Sequence, residues 1–250
     1  MFTKRGQVTA FIILAVIIVV FGVAIYFFYP EIETTLGFEE QNPNIFIQNC
    51  LEDKIKSSID ELSIHGGSIN PSFYFTYQNE NLEYLCYTSE YYQTCVVQIP
   101  FLEKHIESEI KNNIKDDADA CFEDLVQSYI QKGYSVDIKK GDINVEVLPK
   151  RVVATINHSV TLTKDSTENY KSFNVILNNN IYELIGIASS IIEWETIYGD
   201  AETTSYMNYY HDLKVEKKKQ SDGTTVYILT DRNTQNKFQF ASRSIAWPGG

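Results

Sequence analysis

Few places in this 250-residue chain combine residue types that do chemistry. His65-Gly66-Gly67 joins an imidazole to two glycines, as some catalytic loops do. A helix ending in glycine explains the triplet more cheaply, because a cation suits that end. Ser189-Ser190 with Glu193 and Glu195 puts hydroxyls and acids on one helix. It lacks a base, and it lacks the G-x-S-x-G turn that presents a serine nucleophile. Asp116, Asp117 and Asp119 cluster without the spacing of a twelve-residue calcium loop, so a solvated helix junction is expected there. With 33 acidic residues to choose from, no two stand out as the carboxylate pair of a glycoside hydrolase. His211, near Tyr206, Tyr209 and Tyr210, points to no particular reaction. The sequence assigns no catalytic residue, no metal-ligand set and no cofactor.

Three other groups carry covalent or contact chemistry. Cys50, Cys86, Cys95 and Cys121 are even in number, which reads as two disulfides. Of the three pairings, a local Cys86–Cys95 clip and a longer Cys50–Cys121 bridge fit best. Cys50 and Cys121 each fall on the apolar side of a helix, so a bridge between them joins two inward-facing positions. A metal site is disfavoured, since no CxxC pair is present and the histidines are scattered. Asn157-His158-Ser159 is an N-glycosylation sequon. Tyr84, Tyr87, Tyr91 and Tyr92 form a candidate binding face, because tyrosine is enriched at interfaces. The competing reading is a small core stapled by the cysteines.

Charge narrows the partners. The chain has 21 basic and 33 acidic residues, net −12. Without Lys4 and Arg5 the balance is 19 to 33, net −14. Such an excess argues against nucleic acid and against anionic lipid surfaces. The 17 tyrosines and 14 phenylalanines indicate a folded domain rather than an acidic tail.

The elements that position these groups begin with VTAFIILAVIIVVFGVAIYFFY, residues 8–29, which holds no charge. As a helix it spans roughly 33 Å, the thickness of a bilayer's hydrocarbon. Lys4 and Arg5 before it, and Glu31, Glu33, Glu39 and Glu40 after it, predict a cytoplasmic N-terminus. The expected layout is a leader at 1–6, an anchor at 7–29 and a stalk at 30–44. A cysteine-containing, helix-rich part at 45–133 and a strand-rich part at 134–250 follow, as one domain or two.

Beyond the stalk, Ile47, Cys50, Leu51, Ile55, Ile59 and Leu62 recur at helical spacing. Residues 72–79 and 82–88 read as strands around a QNEN turn, with a third short strand at 91–98. Pro100 opens a helix that is expected to break near 115–119 and resume through Cys121, Phe122, Leu125 and Tyr129. Strands are expected at 134–139, 142–148 and 151–163, with KKGD as a hairpin turn. The run 172–177 is a weaker strand candidate. Ile181, Leu184, Ile185, Ala188, Ile191 and Ile192 mark the buried stripe of a helix at 179–198. A hairpin around SDG and a last strand close the chain. The fold class expected is α+β: an N-terminal single transmembrane helix, then an exterior domain of helices packed on antiparallel sheet.

The junction Lys4-Arg5-Gly6-Gln7, followed at once by the apolar run, resembles the class III signal peptides of archaeal pilin-like proteins. That resemblance implies cleavage between Gly6 and Gln7 by a prepilin peptidase, with Lys4 and Arg5 as the basic approach. It departs at Phe11, where many such pilins carry a glutamate. The order of QVTAFIIL, a CLED helix ending near two glycines, and a helix with a second cysteine is also similar to uncharacterised membrane-anchored proteins of small-genome archaea. That likeness implies a source and a topology, not an activity.

Together these readings predict a single-pass cell-membrane protein with residues 30–250 extracellular. Its expected role is that of a pilin-like or surface-complex subunit acting by assembly or adhesion. Its partners would be the membrane and other envelope or pilus-like proteins. An anchored hydrolase and an envelope solute- or protein-binding module are the alternatives.

Overall fold

The computed structural model describes residues 16–20 and 42–245. Residues 1–15, which include the processing positions Lys4, Arg5, Gly6 and Gln7, lie outside the described residues, as do 21–41 and 246–250. The transmembrane expectation is corrected. Among the described residues, no helix is long and apolar enough to cross a membrane. The described part of the apolar run is a five-residue helical segment, 16–20, with exposed side chains. The single-pass placement with residues 30–250 extracellular falls with the anchor.

From Pro43 onward the chain is one compact α+β unit. Helix α1 is Pro43–Ile64, so two residues assigned to the stalk belong to its first turn. Pro43 suits that place, because its missing N–H would have no partner there. Ile47, Leu51, Ile55, Ile59 and Leu62 are fully or nearly fully buried, as their spacing requires. Strands β1 (Tyr74–Tyr77) and β2 (Glu80–Tyr87) form a hairpin. Its two loop residues, Gln78 and Asn79, both have positive φ, which fits the right-handed twist of the strands. The third strand shrinks to β3, Val96–Val97.

Helix α2 runs unbroken from Leu102 to Gln131. The break expected near 115–119 does not occur. Ile110, Ile114, Ala118, Cys121 and Leu125 hold one buried stripe straight through the acidic cluster, with Ala118 at 0 % exposure. The acids flank that stripe and are paired outward, Asp117 with Lys54 at 3.0 Å and Asp119 with Lys140 at 2.8 Å.

Strands β4 (Ser135–Lys139), β5 (Ile143–Leu148), β6 (Arg151–Ile156) and β7 (Ser159–Thr163) follow, then β8 (Thr167–Tyr170) and β9 (Phe173–Asn178). KKGD is not a hairpin turn, because β4 pairs with β7 and β5 with β6. The chain bends there while the partner strand bends at Asn157-His158, and two three-stranded sheets result, β4-β7-β8 and β5-β6-β9. The bend is pinned from both sides. Asn157 N–H donates to Asp142 O at 2.9 Å, and Gly141 N–H donates to His158 Nδ1 at 3.2 Å.

Helix α3 is Ile181–Tyr198 and ends on Gly199, whose φ of 75° only glycine adopts readily. A six-residue helix α4, Thr204–Tyr209, leads into β10 (Leu213–Lys219), β11 (Thr224–Asp231) and β12 (Lys237–Arg243). These antiparallel strands join the first hairpin through a parallel β12–β2 pairing. The sheet order is β1-β2-β12-β11-β10, with β3 beside β2. The two parts expected on either side of residue 133 are thus joined through one sheet. Helix α1 packs on α2, β9 and β12, while α3 packs on β12, β11 and β2 and also touches β5. The main core therefore forms where the helices meet the three sheets. A satellite cluster of Leu82, Tyr84, Val226 and Ala241 lies apart from it.

Both disulfides form. Cys50 bridges Cys121 with a Cα–Cα distance of 6.0 Å, and Cys86 bridges Cys95 at 5.4 Å. The first ties α1 to α2; the second ties β2 to the segment before β3.

Candidate functional site

The residues singled out in the sequence scatter over the fold. His65 follows α1, and Gly67 N–H caps the helix on Leu62 O at 2.7 Å. Gly66 packs so tightly on β2 that a Cβ there would come within 3.2 Å of Glu83 N. His65 Nε2 meets Glu80 Oε2 at 3.2 Å, so the triplet is a helix cap docked on a hairpin. Ser190 shares a hydrogen bond with the Tyr206 hydroxyl at 2.7 Å, and Glu195 points into the core. Asp119 is held below the usual carboxylate range, first by its hydrogen bond from Lys140. It also stands 3.6 Å from His158 Nε2. The other His158 nitrogen is taken by Gly141, so the pair secures the sheet bend and offers no free base. Among the described residues, no group of three or more His, Cys, Asp or Glu side chains could hold a metal ion.

The tyrosine face divides. Tyr84 is buried, with its hydroxyl hydrogen-bonded to Thr224 Oγ1 at 2.8 Å. Tyr87 packs edge-on against Tyr84 and Phe73, under the guanidinium of Arg243. Of the four, Tyr91 and Tyr92 alone lie open to solvent. Asn157 of the sequon is exposed between β6 and β7.

A cleft that the sequence reading did not assemble lies where α3 begins. It encloses about 660 Å³, within the usual range for a ligand pocket. Its floor is aliphatic, built by Leu184, Ile187 and Leu213. Its lining is also aromatic, with Tyr182, Tyr209 and Tyr210, each at least a third exposed. The last two rings meet edge-on at 4.7 Å. Tyr209 is 78 % exposed. The local fold explains this display. Helix α4 stops as Tyr210 turns extended, Leu213 drops into the core, and the residues between them are left outside.

A second hollow of about 410 Å³ adjoins the first and shares Lys150, Asn180 and Asp231 with it. This one is rich in amides, with Asn178, Asn179, Asn233 and Asn236, and it adds Lys56. The shared wall is rigidly bonded. Asp231 Oδ2 accepts from Asn180 Nδ2 at 2.7 Å, and its Oδ1 accepts from the N–H groups of Asn233 and Thr234. Asn180 Oδ1 accepts from Asn236 Nδ2 at 2.5 Å. Glu183 Oε1 accepts from Lys150 N–H at 3.1 Å, and Asn179 Oδ1 caps Ile181 N–H at 2.8 Å. Three loops are locked together this way. The signals for the cleft were the runs Asn178-Asn179-Asn180 and Tyr209-Tyr210-His211. They lie far apart in sequence, and neither follows a period that reveals a shared site.

Comparison of the chain with protein-family models, curated proteins and solved structures finds no match.

Proposed function

We propose that the domain beginning at Pro43 works by binding, as an adhesive or assembly subunit of a surface complex, and that the cleft at the start of α3 is its contact site. The observation that carries this reading is the exposed aromatic wall over a fixed aliphatic floor. Tyrosines held at the mouth of a concavity bury much area on contact at small entropic cost. The carboxylate shared by the two hollows favours binding over catalysis. Asp231 already accepts at both oxygens, from Asn180 and from the N–H groups of Asn233 and Thr234, so it serves the loops rather than a proton transfer. Two disulfides suit a protein that folds and works under oxidising conditions. The pilin-like form of the role rests on Lys4-Arg5-Gly6-Gln7 alone.

The test compares the full chain with a Gly186→Trp variant. Gly186 lines the cleft on an exposed position of α3, and a Cβ added there meets nothing within 4 Å, so a bulky side chain starts from open space at the cleft. Both proteins are immobilised and exposed to envelope material from the source cells. Retention by the unaltered chain and loss in the variant is expected. Equal retention by both, or none by either, refutes the reading.

A further inference from the structure

We infer that the paired hollows form an oligosaccharide-binding site, with sugar rings seated on the tyrosine wall and hydroxyl groups read by the amide wall. The inference rests on the binding role proposed above and names its ligand class. A pyranose ring has two kinds of surface. Its C–H patches seek aromatic faces, and its hydroxyls seek side chains that both donate and accept. The first hollow supplies the former with Tyr182, Tyr209 and Tyr210. The second supplies the latter with Asn178, Asn179 and Asn233, since an amide donates through nitrogen and accepts through oxygen. The hollows adjoin along Lys150, Asn180 and Asp231. An extended ligand of several rings fits that arrangement better than a single compact one.

Other ligand classes fit less well. A nucleotide would bring its phosphates against Asp212, Asp231 and Glu183 in a chain of net charge −12. A peptide strand needs backbone donors and acceptors in a row, whereas this wall offers side-chain amides. Preorganisation supports the sugar reading as well. Asn180 and Asn179 are fixed by Asp231, Asn236 and Ile181 N–H, so little side-chain freedom remains to be lost when a ligand arrives. Lys56 and Lys150 stand at the amide hollow. They leave room for an acidic sugar, which the choice of probes separates from a neutral one.

The experiment titrates the full chain with three defined tetrasaccharides: N-acetylglucosamine, mannose and galacturonic acid oligomers. Binding is followed by calorimetry. At least one probe should saturate the unaltered protein. The Tyr209→Ala/Tyr210→Ala double variant should weaken that probe by about tenfold or more, the worth of lost aromatic contacts. Gly186→Trp should block it, and Tyr91→Ala/Tyr92→Ala, on another surface, should leave it unchanged. Circular dichroism checks that each variant is folded. No saturation by any probe, or equal binding by the cleft variants, overturns the sugar assignment. The binding role is judged separately. If envelope material is still retained after periodate has destroyed its vicinal diols, and retention is still lost in Gly186→Trp, the role stands with a protein partner and the sugar assignment falls.

Discussion

Tyr227 on β11 donates its hydroxyl hydrogen bond to the carboxylate of Glu195 on α3, and both side chains are buried in the core. Ala201 N–H reaches the same carboxylate oxygen at 3.2 Å, and the Ser242 hydroxyl reaches the other at 3.4 Å. Ser242 in turn lies 3.7 Å from Cys95 Sγ. One buried acid thus joins α3, β11 and β12 next to the shorter disulfide. A polar group so placed is tolerated only when its bonds are made.

Glu195 gives stability a pH dependence of unusual sign for an acid. Burial pushes its carboxyl up, and the bonds from Tyr227 and Ala201 only partly oppose that. The folded protein therefore keeps a proton that the unfolded chain has already released. The stability from this proton is complete below the unfolded glutamate value, about 4.3. It is lost as pH rises through the raised folded value. Glu195→Gln removes the titration and keeps the shape. Denaturant unfolding between about pH 4 and about pH 8 should show the unaltered protein losing ground to the variant as pH rises. A pH-independent difference between the two would sink the assignment.

Removing the donor is a separate matter. Tyr227→Phe leaves the carboxylate oxygen with Ala201 N–H alone, at a site that water does not reach. The cost is about 1–3 kcal/mol. Adding Glu195→Gln to the same chain should recover part of it, because residues that share one network do not add. Strictly additive losses in the double variant would mean that the two side chains are energetically independent.

The disulfides differ in the loop each closes. Cys50–Cys121 spans 71 residues and Cys86–Cys95 spans 9. Chain entropy assigns about 4 kcal/mol to the long loop and about 3 kcal/mol to the short one. Replacing Cys50 and Cys121 with alanine should therefore lower the denaturation midpoint more than replacing Cys86 and Cys95. Intact mass before and after reduction checks the starting point, since two bridges gain four hydrogens. An unchanged mass on reduction would refute both bonds.

Much of this fold was legible because its helices and strands carry their periods openly. The stripe from Ile47 to Leu62 and the alternation in β5 needed no tertiary context. Cys50 and Cys121 could be paired in advance because each sat on an apolar stripe. The unbroken α2 was not legible. Its acidic cluster looks like a terminus until Lys54 and Lys140 arrive from α1 and from the bend after β4. The bend at Gly141 was hidden for a related reason, since KKGD has hairpin chemistry and only the pairing of β4 with β7 rules that out. Glu195 read as one more helix acid because its partners lie on strands that follow it. The cleft escaped because its walls come from four separate stretches of chain.

Two glycines make the sharpest contrast, because one has no room and the other has nothing but room. At Gly141 a Cβ would fall 2.0 Å from Asn157 O, on the bend where neither backbone can retreat without breaking the Gly141–His158 and Asn157–Asp142 bonds. At Gly186, inside α3 and facing the cleft, it would meet nothing within 4 Å. Gly141→Ala should destabilise the protein by about 3 kcal/mol, the upper end of ordinary overpacking. Gly186→Ala should stabilise it by about 0.5–1 kcal/mol, because a helical glycine loses more backbone freedom on folding than alanine does. Thermal melts of the two variants should therefore move in opposite directions from the parent. If Gly141→Ala melted at the parent temperature, the bend would have to be able to open, and the division of the long meander into two sheets would not be fixed by that contact.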